Sequence, residues 1–298
     1  MYSTGRNVIV RQTGGLGNQL FQYAMGRFIA TTHQRDLYVA CELPRRMHFA
    51  HHPRPLLLQQ FAIAAPLKTV STLQRMIISE RGMLSLPSGA ARRLTSSFVV
   101  REKPGRALFC DEVVFPEKVK NLFLSGYWQT YSRVRRVESL LREEFQFRRD
   151  PTGRNLEMAK HIVQSLNPVS VHIRRGGYAK AFGDNVLLPN NYYDSALRIM
   201  AEKLGSITLY IFSDDPRAAL EWAVNKKCIV VSHNEKQADE DLRLMSLCHH
   251  HVIANSTFSW WGAWLNPRSD KSVIAPSTWS RVDTRATDIL PKSWAVTW

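Results

Sequence analysis

Residues Asn7 to Arg11, NVIVR, form a run of strand type that passes through a glycine turn, Gly14-Gly15-Leu16-Gly17-Asn18, into a helical stretch from Gln19 to Thr31. Within that stretch Leu20, Tyr23, Ala24 and Phe28 recur at near-helical spacing, and Leu37 to Ala40 then offers a second strand. Strand, tight turn, helix and strand make a βαβ unit. Such a unit constrains the fold strongly, because its two strands lie parallel and a parallel sheet must be covered by helices on both faces.

The alternation returns later in the chain. Asn121 to Tyr127 has β character, and Val137, Leu140, Leu141 and Phe145 give Val134 to Phe145 helical spacing. A boundary is expected near 148–152. Beyond it come a helix from Asn155 to Gln164, a strand over 169–173, a polar loop to about 188 and a helix from Tyr192 to Leu204. A strand from Ile207 to Phe212 follows, then a helix started by Asp215 and Pro216, a strand from Cys228 to Val231, a helix from Leu242 to Cys248 and a strand from His251 to Ala254. The expected architecture is therefore α/β, with two facing domains, 1–150 and 151–298, and a cleft between them. Residues 44–116 carry no sustained period and are expected to hold variable helices, such as Val70 to Ile78, and loops that recognise an acceptor.

Composition narrows the class. A chain of 298 residues has no apolar run near the roughly 18 residues a membrane span requires, and its N-terminus lacks the regions of a signal peptide, so a cytosolic protein is expected. Cys41, Cys110, Cys228 and Cys248 form no CxxC pair, which argues against zinc and against a disulfide framework. The net charge of +15 calls for an acidic counterpart: nucleic acid, an anionic membrane face or a phosphorylated small molecule. Clusters such as Arg92-Arg93, Arg133 to Arg136 and Arg148-Arg149 lie in no nucleic-acid motif, and a peripheral contact with an anionic leaflet is the modest expectation. The sequence carries no signature of an assembly state.

Several motifs carry chemistry. HIRRGGY (172–178) follows the apolar run Val169-Ser170-Val171, which sets His172, Arg174 and Arg175 at a strand exit, where α/β folds bind anions. Two guanidinium forks there suit a diphosphate, although adjacent arginines on so basic a chain also read as a solvated corner. The backbone at Gly15 and Gly17 can approach a ligand closely and offer N–H groups at a helix start, yet Leu20 stands where a dinucleotide fingerprint needs its third glycine. Asp214-Asp215 and Asp239-Glu240-Asp241 have the look of metal-holding carboxylates, but helix capping accounts for them more simply, and no metal is expected. The side chains of Cys248 to His251 diverge and cannot converge on one ion. In ANSTFSWWGAWL (254–265) the tryptophans read as core, while Ser256 and Thr257, if they open a helix, supply a neutral phosphate cradle opposite the arginines.

Taken together, GGLGNQLFQYA (14–24), GYWQTY (126–131), HIRRGGY (172–178), FSDDP (212–216), LMSLCHHHVIANSTFSWWGAWL (244–265) and DILPKSW (288–294) resemble the bacterial α-1,2-fucosyltransferases. The resemblance implies a GT-B enzyme of glycosyltransferase family 11, built from two Rossmann-like domains. Such an enzyme transfers L-fucose from GDP-fucose to O2 of a terminal galactose with inversion, without cofactor or metal. It further implies that the C-terminal domain binds the donor and the N-terminal domain the galactose-containing acceptor. His172 and Asp214 would contact guanosine, Arg174 the β-phosphate, and Ser256, Thr257 and Phe258 the diphosphate, with Arg175 supporting the clamp.

One position departs from the family pattern HxRRxD: Gly177 stands in place of the aspartate. Asp184 is the candidate to replace the missing carboxylate, and Asn18 the candidate to position the acceptor hydroxyl. The sequence thus leads to a transferase acting on galactosides of an oligosaccharide or surface-polysaccharide precursor, at the cytoplasmic face of the membrane. The alternatives are a fucosyltransferase of another linkage, a non-catalytic nucleotide-sugar or glycan binder, and, from charge alone, a nucleic-acid binder.

Overall fold

A computed structural model describes residues 4–41, 55–69, 96–102, 115–116, 118–175, 187–234, 237–279 and 289–297. The chain divides into two units, Met1–Gln146 and Phe147–Trp298. Gly177, Asp184, Cys110, the Arg92-Arg93 pair and the expected helical patch from Val70 to Ile78 lie outside the described residues.

The first unit grows from β1 (Asn7–Arg11), whose Val8, Ile9 and Val10 are fully buried. Helix α1 (Leu16–Thr32) packs on it, and β2 (Asp36–Cys41) returns parallel with Asn7 opposite Asp36. The approach is close at Gly26, where a Cβ would fall 2.8 Å from Leu37 Cδ1 and nearer still to Val10 Cγ2. Strands β3 (Leu67–Thr69), β4 (Ser97–Arg101) and β5 (Asn121–Ser125) complete a parallel sheet of order β3-β2-β1-β5-β4. Two of these strands fall in 44–116, expected to be helices and loops. The SFVVR run of β4 stands in a stretch without sustained period, and pairing with β5 along its whole length fixes it as a strand.

The single helix expected from Val134 to Phe145 is two: α2 (Tyr131–Arg136) and α3 (Glu138–Glu144), broken at Val137, which sits at φ −123° and ψ 24°. The break re-aims the second segment so that Val134, Val137, Leu141 and Phe145 are all buried.

The second unit contains α4 (Gly153–Gln164), β6 (Pro168–Ile173), α5 (Asn190–Leu204), β7 (Thr208–Ser213), α6 (Pro216–Ala223), β8 (Cys228–Val231), α7 (Ala238–Leu247), β9 (His250–Val252), α8 (Thr257–Leu265), β10 (Val273–Pro276) and β11 (Ala295–Thr297). Its sheet is parallel, of order β11-β10-β9-β6-β7-β8, and its last two strands were not foreseen from the sequence. All six residues of β6 are buried, as a central strand covered on both faces requires. Alternate residues serve opposite faces. Val169, Val171, Ile173, Leu209 and Ile211 pack with Tyr192, Tyr193, Ala196 and Met200 of α5. Tyr210, Phe212 and Val231 pack with α4 and α7.

The ambiguous motifs settle into structural roles. Asp239, Glu240 and Asp241 occupy the first turn of α7, where the helix dipole favours negative charge. His251 bridges Ser170 Oγ, 2.8 Å from Nδ1, and Asn266 Nδ2, 3.0 Å from Nε2, while His250 Nδ1 accepts the Ser272 N–H. Trp260, Trp261 and Trp264 are buried against one another. Cys228 and Cys248 are free thiols, and burial raises the pKa of Cys248.

Candidate active site

In the second unit the chain runs β6, β7, β8 to one side and then returns to place β9 on the other flank of β6. The strand order therefore reverses between β6 and β9, and ligands of open α/β sheets bind beyond the strand ends at such a point. Arg174 and Arg175 leave β6 there, Asp214 leaves β7, and Asn255 and Ser256 lie between β9 and α8, which Thr257 opens.

One carboxylate organises the arginines. Asp214 Oδ2 lies 2.8 Å from an Nη of Arg174, and its Oδ1 accepts the backbone N–H of Arg175 at 2.8 Å. Asp214, expected at the guanosine, thus also holds Arg174. The Arg175 guanidinium turns elsewhere, donating to Leu188 O at 2.5 Å and to Asn190 Oδ1 at 3.0 Å, and it sits 6.0 Å from the Tyr193 ring. It ties the β6 exit to the start of α5, so of the two arginines Arg174 is the one placed with the other site residues.

His172 is 2% exposed and its ring lies 5.5 Å from that of Phe258. Burial, reinforced by the neighbouring Arg174 charge, lowers its pKa to about 4, so the ring is neutral at pH 7. Its Nδ1 is buried with no hydrogen-bond partner among the described residues. Ser256 caps α8, its Oγ accepting the Phe258 N–H at 3.3 Å, which confirms the conditional helix start at 256–257 and turns a positive helix end toward the β6–β9 reversal. His172, Arg174, Asp214, Ser256, Thr257 and Phe258 are thereby gathered at adjacent strand ends of one sheet.

Gly15, Gly17 and Asn18 belong to the first unit. Gly15 is the N-cap residue of α1 and Gly17 is buried within its first turn, so the glycine turn ends three residues earlier than the sequence suggested. Gly14, at φ +75°, is the glycine whose conformation the turn requires, and a Cβ there would lie 2.6 Å from Asn18 Nδ2. Asn18 Oδ1 accepts from Gln129 Nε2 at 3.1 Å. Two buried glutamines secure the turn: Gln22 exchanges hydrogen bonds with Thr13, and Gln19 binds Gly14 O, Pro55 O and the Leu57 N–H.

Sequence reasoning did not single out Gln129, or Glu102, whose carboxylate accepts the N–H groups of Tyr127 at 2.5 Å and Trp128 at 3.0 Å. The 126–131 block stood out in the sequence without a role. Glu102 gave no local signal, because it meets Tyr127 only through the pairing of β4 with β5. Among the described residues there is no group of three or more His, Cys, Asp or Glu able to hold a metal ion, and no helix is long and apolar enough to cross a membrane.

The chain is similar to known proteins over most of its length. The α-1,2-colitosyltransferase of Escherichia coli is 28% identical over 311 residues, covering 96% of this chain and 97% of its own. The O-antigen biosynthesis glycosyltransferase WbnK, also of Escherichia coli, is 31% identical over 287 residues, covering 90% and 93%. In fold the chain is similar to the fucosyltransferase NodZ of Bradyrhizobium, with a TM-score of 0.54 at 13% identity over 90% of this chain and 94% of that one, which places it in the GT-B class. The model of Glycosyl transferase family 11 matches residues 105–297. With its two parallel α/β units and its fucosyltransferase-like fold, the chain belongs to glycosyltransferase family 11.

Proposed function

We propose that this protein transfers L-fucose from GDP-fucose to O2 of a terminal galactose, inverting the anomeric centre, with the second unit binding the donor and the first the acceptor. The observation that carries the reading is the Asp214–Arg174 ion pair at the β6–β9 reversal, set beside the Ser256-capped start of α8. NodZ, whose structures include one soaked with GDP-fucose, lends support through its fold.

As the glycosidic bond to the β-phosphate breaks, negative charge accumulates on the departing GDP while the fucosyl ring gains oxocarbenium character. A guanidinium already held in place and the N–H groups of a helix end stabilise that charge without reorganising, which lowers the barrier. Arg174 takes the part a divalent ion plays elsewhere, so turnover is expected to persist in EDTA. Neutral His172 offers the buried edge of its ring to the guanosine portion, and Phe258 and Thr257 line the diphosphate. The acceptor O2 attacks C1 from the opposite face and its proton passes to a carboxylate, for which Asp184 is the candidate. Asn18 orients the hydroxyl.

Incubation with GDP-fucose and methyl β-galactoside in EDTA, followed by linkage analysis, tests the reading. GDP release with a fucosyl-(1→2)-galactoside product is the expected result, and binding of GDP without turnover would reduce the protein to a nucleotide-sugar binder. The likeness to a colitosyltransferase favours one second reading, a GDP-linked colitose donor. Colitose is fucose lacking the 3-hydroxyl, so direct competition between the two donors separates the readings. The charge of +15 supports action at an anionic cytoplasmic membrane face on precursors of surface polysaccharide, to be checked by sedimentation with anionic vesicles.

A further inference from the structure

Four side chains of the second unit form a hydrogen-bonded row that no step of the proposed transfer uses. His233 Nε2 lies 2.8 Å from Asn155 Oδ1, Asn155 Nδ2 donates to Asn234 Oδ1 at 2.9 Å, and Asn234 Nδ2 donates to Asp241 Oδ1 at 2.9 Å. Both asparagines are buried, whereas His233 is half-buried and stands at the outer end of the row. Three elements meet in it: the exit of β8 and the first turns of α4 and α7.

The carboxylate sets the direction of the row. Burial raises the Asp241 pKa to about 6, against the lowering effect of the Asn234 hydrogen bond, so the group is chiefly ionised at pH 7 and can only accept. Asn234 must therefore turn its amino group to Asp241 and its oxygen to Asn155, and Asn155 in turn presents its own oxygen to His233. A carbonyl oxygen cannot donate, so the His233 proton resides on Nε2. Burial and the nearby Arg154 charge lower the pKa of this ring, which is neutral at pH 7 and keeps Nδ1 as an acceptor. With Nε2 aimed at the buried amides, Nδ1 lies on the other side of the ring and faces away from them.

The row ends where open α/β sheets bind ligands. β7 and β8 pair so that Phe212 stands opposite Val231, and Asp214 and His233 each follow two residues later, beyond the same strand ends. Neighbouring strands lie about 4.8 Å apart, so the exit of β8 is about 10 Å from the exit of β6 that carries Arg174. A nucleoside whose diphosphate lies at the β6–β9 reversal, and which runs outward past Asp214, covers that span.

We infer that His233 contacts the nucleobase of the donor, its Nδ1 accepting from the N–H edge of guanine, with Asn155, Asn234 and Asp241 as positioning residues that hold the ring and its tautomer. Guanine presents two donors, a ring N–H and an amino group, on the edge where adenine has a ring acceptor. The contact therefore selects guanine. The inference rests on the proposed binding of a GDP-sugar by the second unit and names a residue that reads its base.

Calorimetry with GDP and ADP, beside nitrogen NMR of the histidine rings, tests the inference on the wild type, His233→Ala and Asn155→Ala. The wild type is expected to prefer GDP, and His233→Ala to weaken GDP binding about fivefold, the worth of one neutral hydrogen bond, while ADP binding stays within about twofold. In the wild type the Nδ1 resonance of His233 is expected to move on addition of GDP and to stay in place with ADP, a readout that needs no variant to fold. Asn155→Ala is expected to release the ring, seen as a mixture of its two tautomers, and the double variant to bind GDP no more weakly than His233→Ala alone. Unchanged GDP affinity in His233→Ala, an equal loss for both nucleotides, or an unmoved Nδ1 resonance overturns the inference and leaves the donor reading intact. A wild type that binds no GDP overturns both.

Discussion

The Asp214 carboxylate holds Arg174 at 2.8 Å through one oxygen and the Arg175 backbone N–H at 2.8 Å through the other. A flexible cation is thereby fixed by a neighbour on the next strand. Asp214→Asn keeps an acceptor for the N–H and removes the ion pair. It is expected to lower kcat/KM for GDP-fucose ten- to hundredfold, matching the roughly 1.5–3 kcal/mol of a charged hydrogen bond. Arg174→Ala should cost about 3–4 kcal/mol of transition-state stabilisation. Because Asp214 acts here through Arg174, the double variant is expected to be little worse than Arg174→Ala alone, and full additivity in steady-state kinetics would contradict this coupling.

Adjacent glycines of the first unit separate by conformation. Gly14→Ala places a Cβ at φ +75° and 2.6 Å from Asn18 Nδ2, so it is expected to displace Asn18, raising the acceptor KM and lowering stability by about 1–2 kcal/mol. A Cβ on Gly15 meets no atom within 4 Å, and Gly15→Ala should leave the folded structure intact. Any loss of ligand affinity in Gly15→Ala, read by calorimetry, then reports the approach of a ligand to that backbone.

Gly26 tests how tightly α1 lies on the sheet. Gly26→Ala forces its methyl into Val10 and Leu37, and overpacking of this kind costs about 1–3 kcal/mol, more than the helix propensity of alanine returns. Denaturant unfolding should show a lower midpoint at unchanged slope.

Acid should destabilise the second unit. Burial lowers the pKa of His172 and of His250 to about 4, and holds that of His251 well below its ordinary value. In the unfolded chain these rings take up protons near pH 6.5, whereas in the fold His172 and His250 do not until about pH 4 and His251 resists protonation in the same direction, so the unfolded state gains protons first and stability falls as the pH drops below 6.5. Asp241 acts oppositely: burial raises its pKa to about 6, and its folded form binds a proton sooner than the unfolded one. Three histidines outweigh one carboxyl. The melting temperature is expected to fall from pH 7 to pH 4.5, and to fall more steeply in Asp241→Asn.

Features confined to one stretch of chain were legible. NVIVR before a glycine turn gave β1, the alternation after residue 150 gave most of the second sheet, and HIRRGGY placed Arg174 at a strand exit. Features that depend on which strands become neighbours were not. Glu102 meets Tyr127 across 25 residues, and Gln129 meets Asn18 across 111, each pair joined only when the sheet assembles. Even Asp214, noticed in FSDDP, gave no sign that it would grip Arg174.

The amino-acid sequence by itself determined β1, β2 and β5 to β9, most of the helices between them and their parallel sense, because hydrophobic period, glycine turns and helix caps act over a few residues. Only the tertiary structure decided that β9 returns beside β6, that Ser256 therefore opens its helix near Arg174, and that Gln129 reaches Asn18. Strand order is set by the packing of side chains distant along the chain, and no local pattern encodes it.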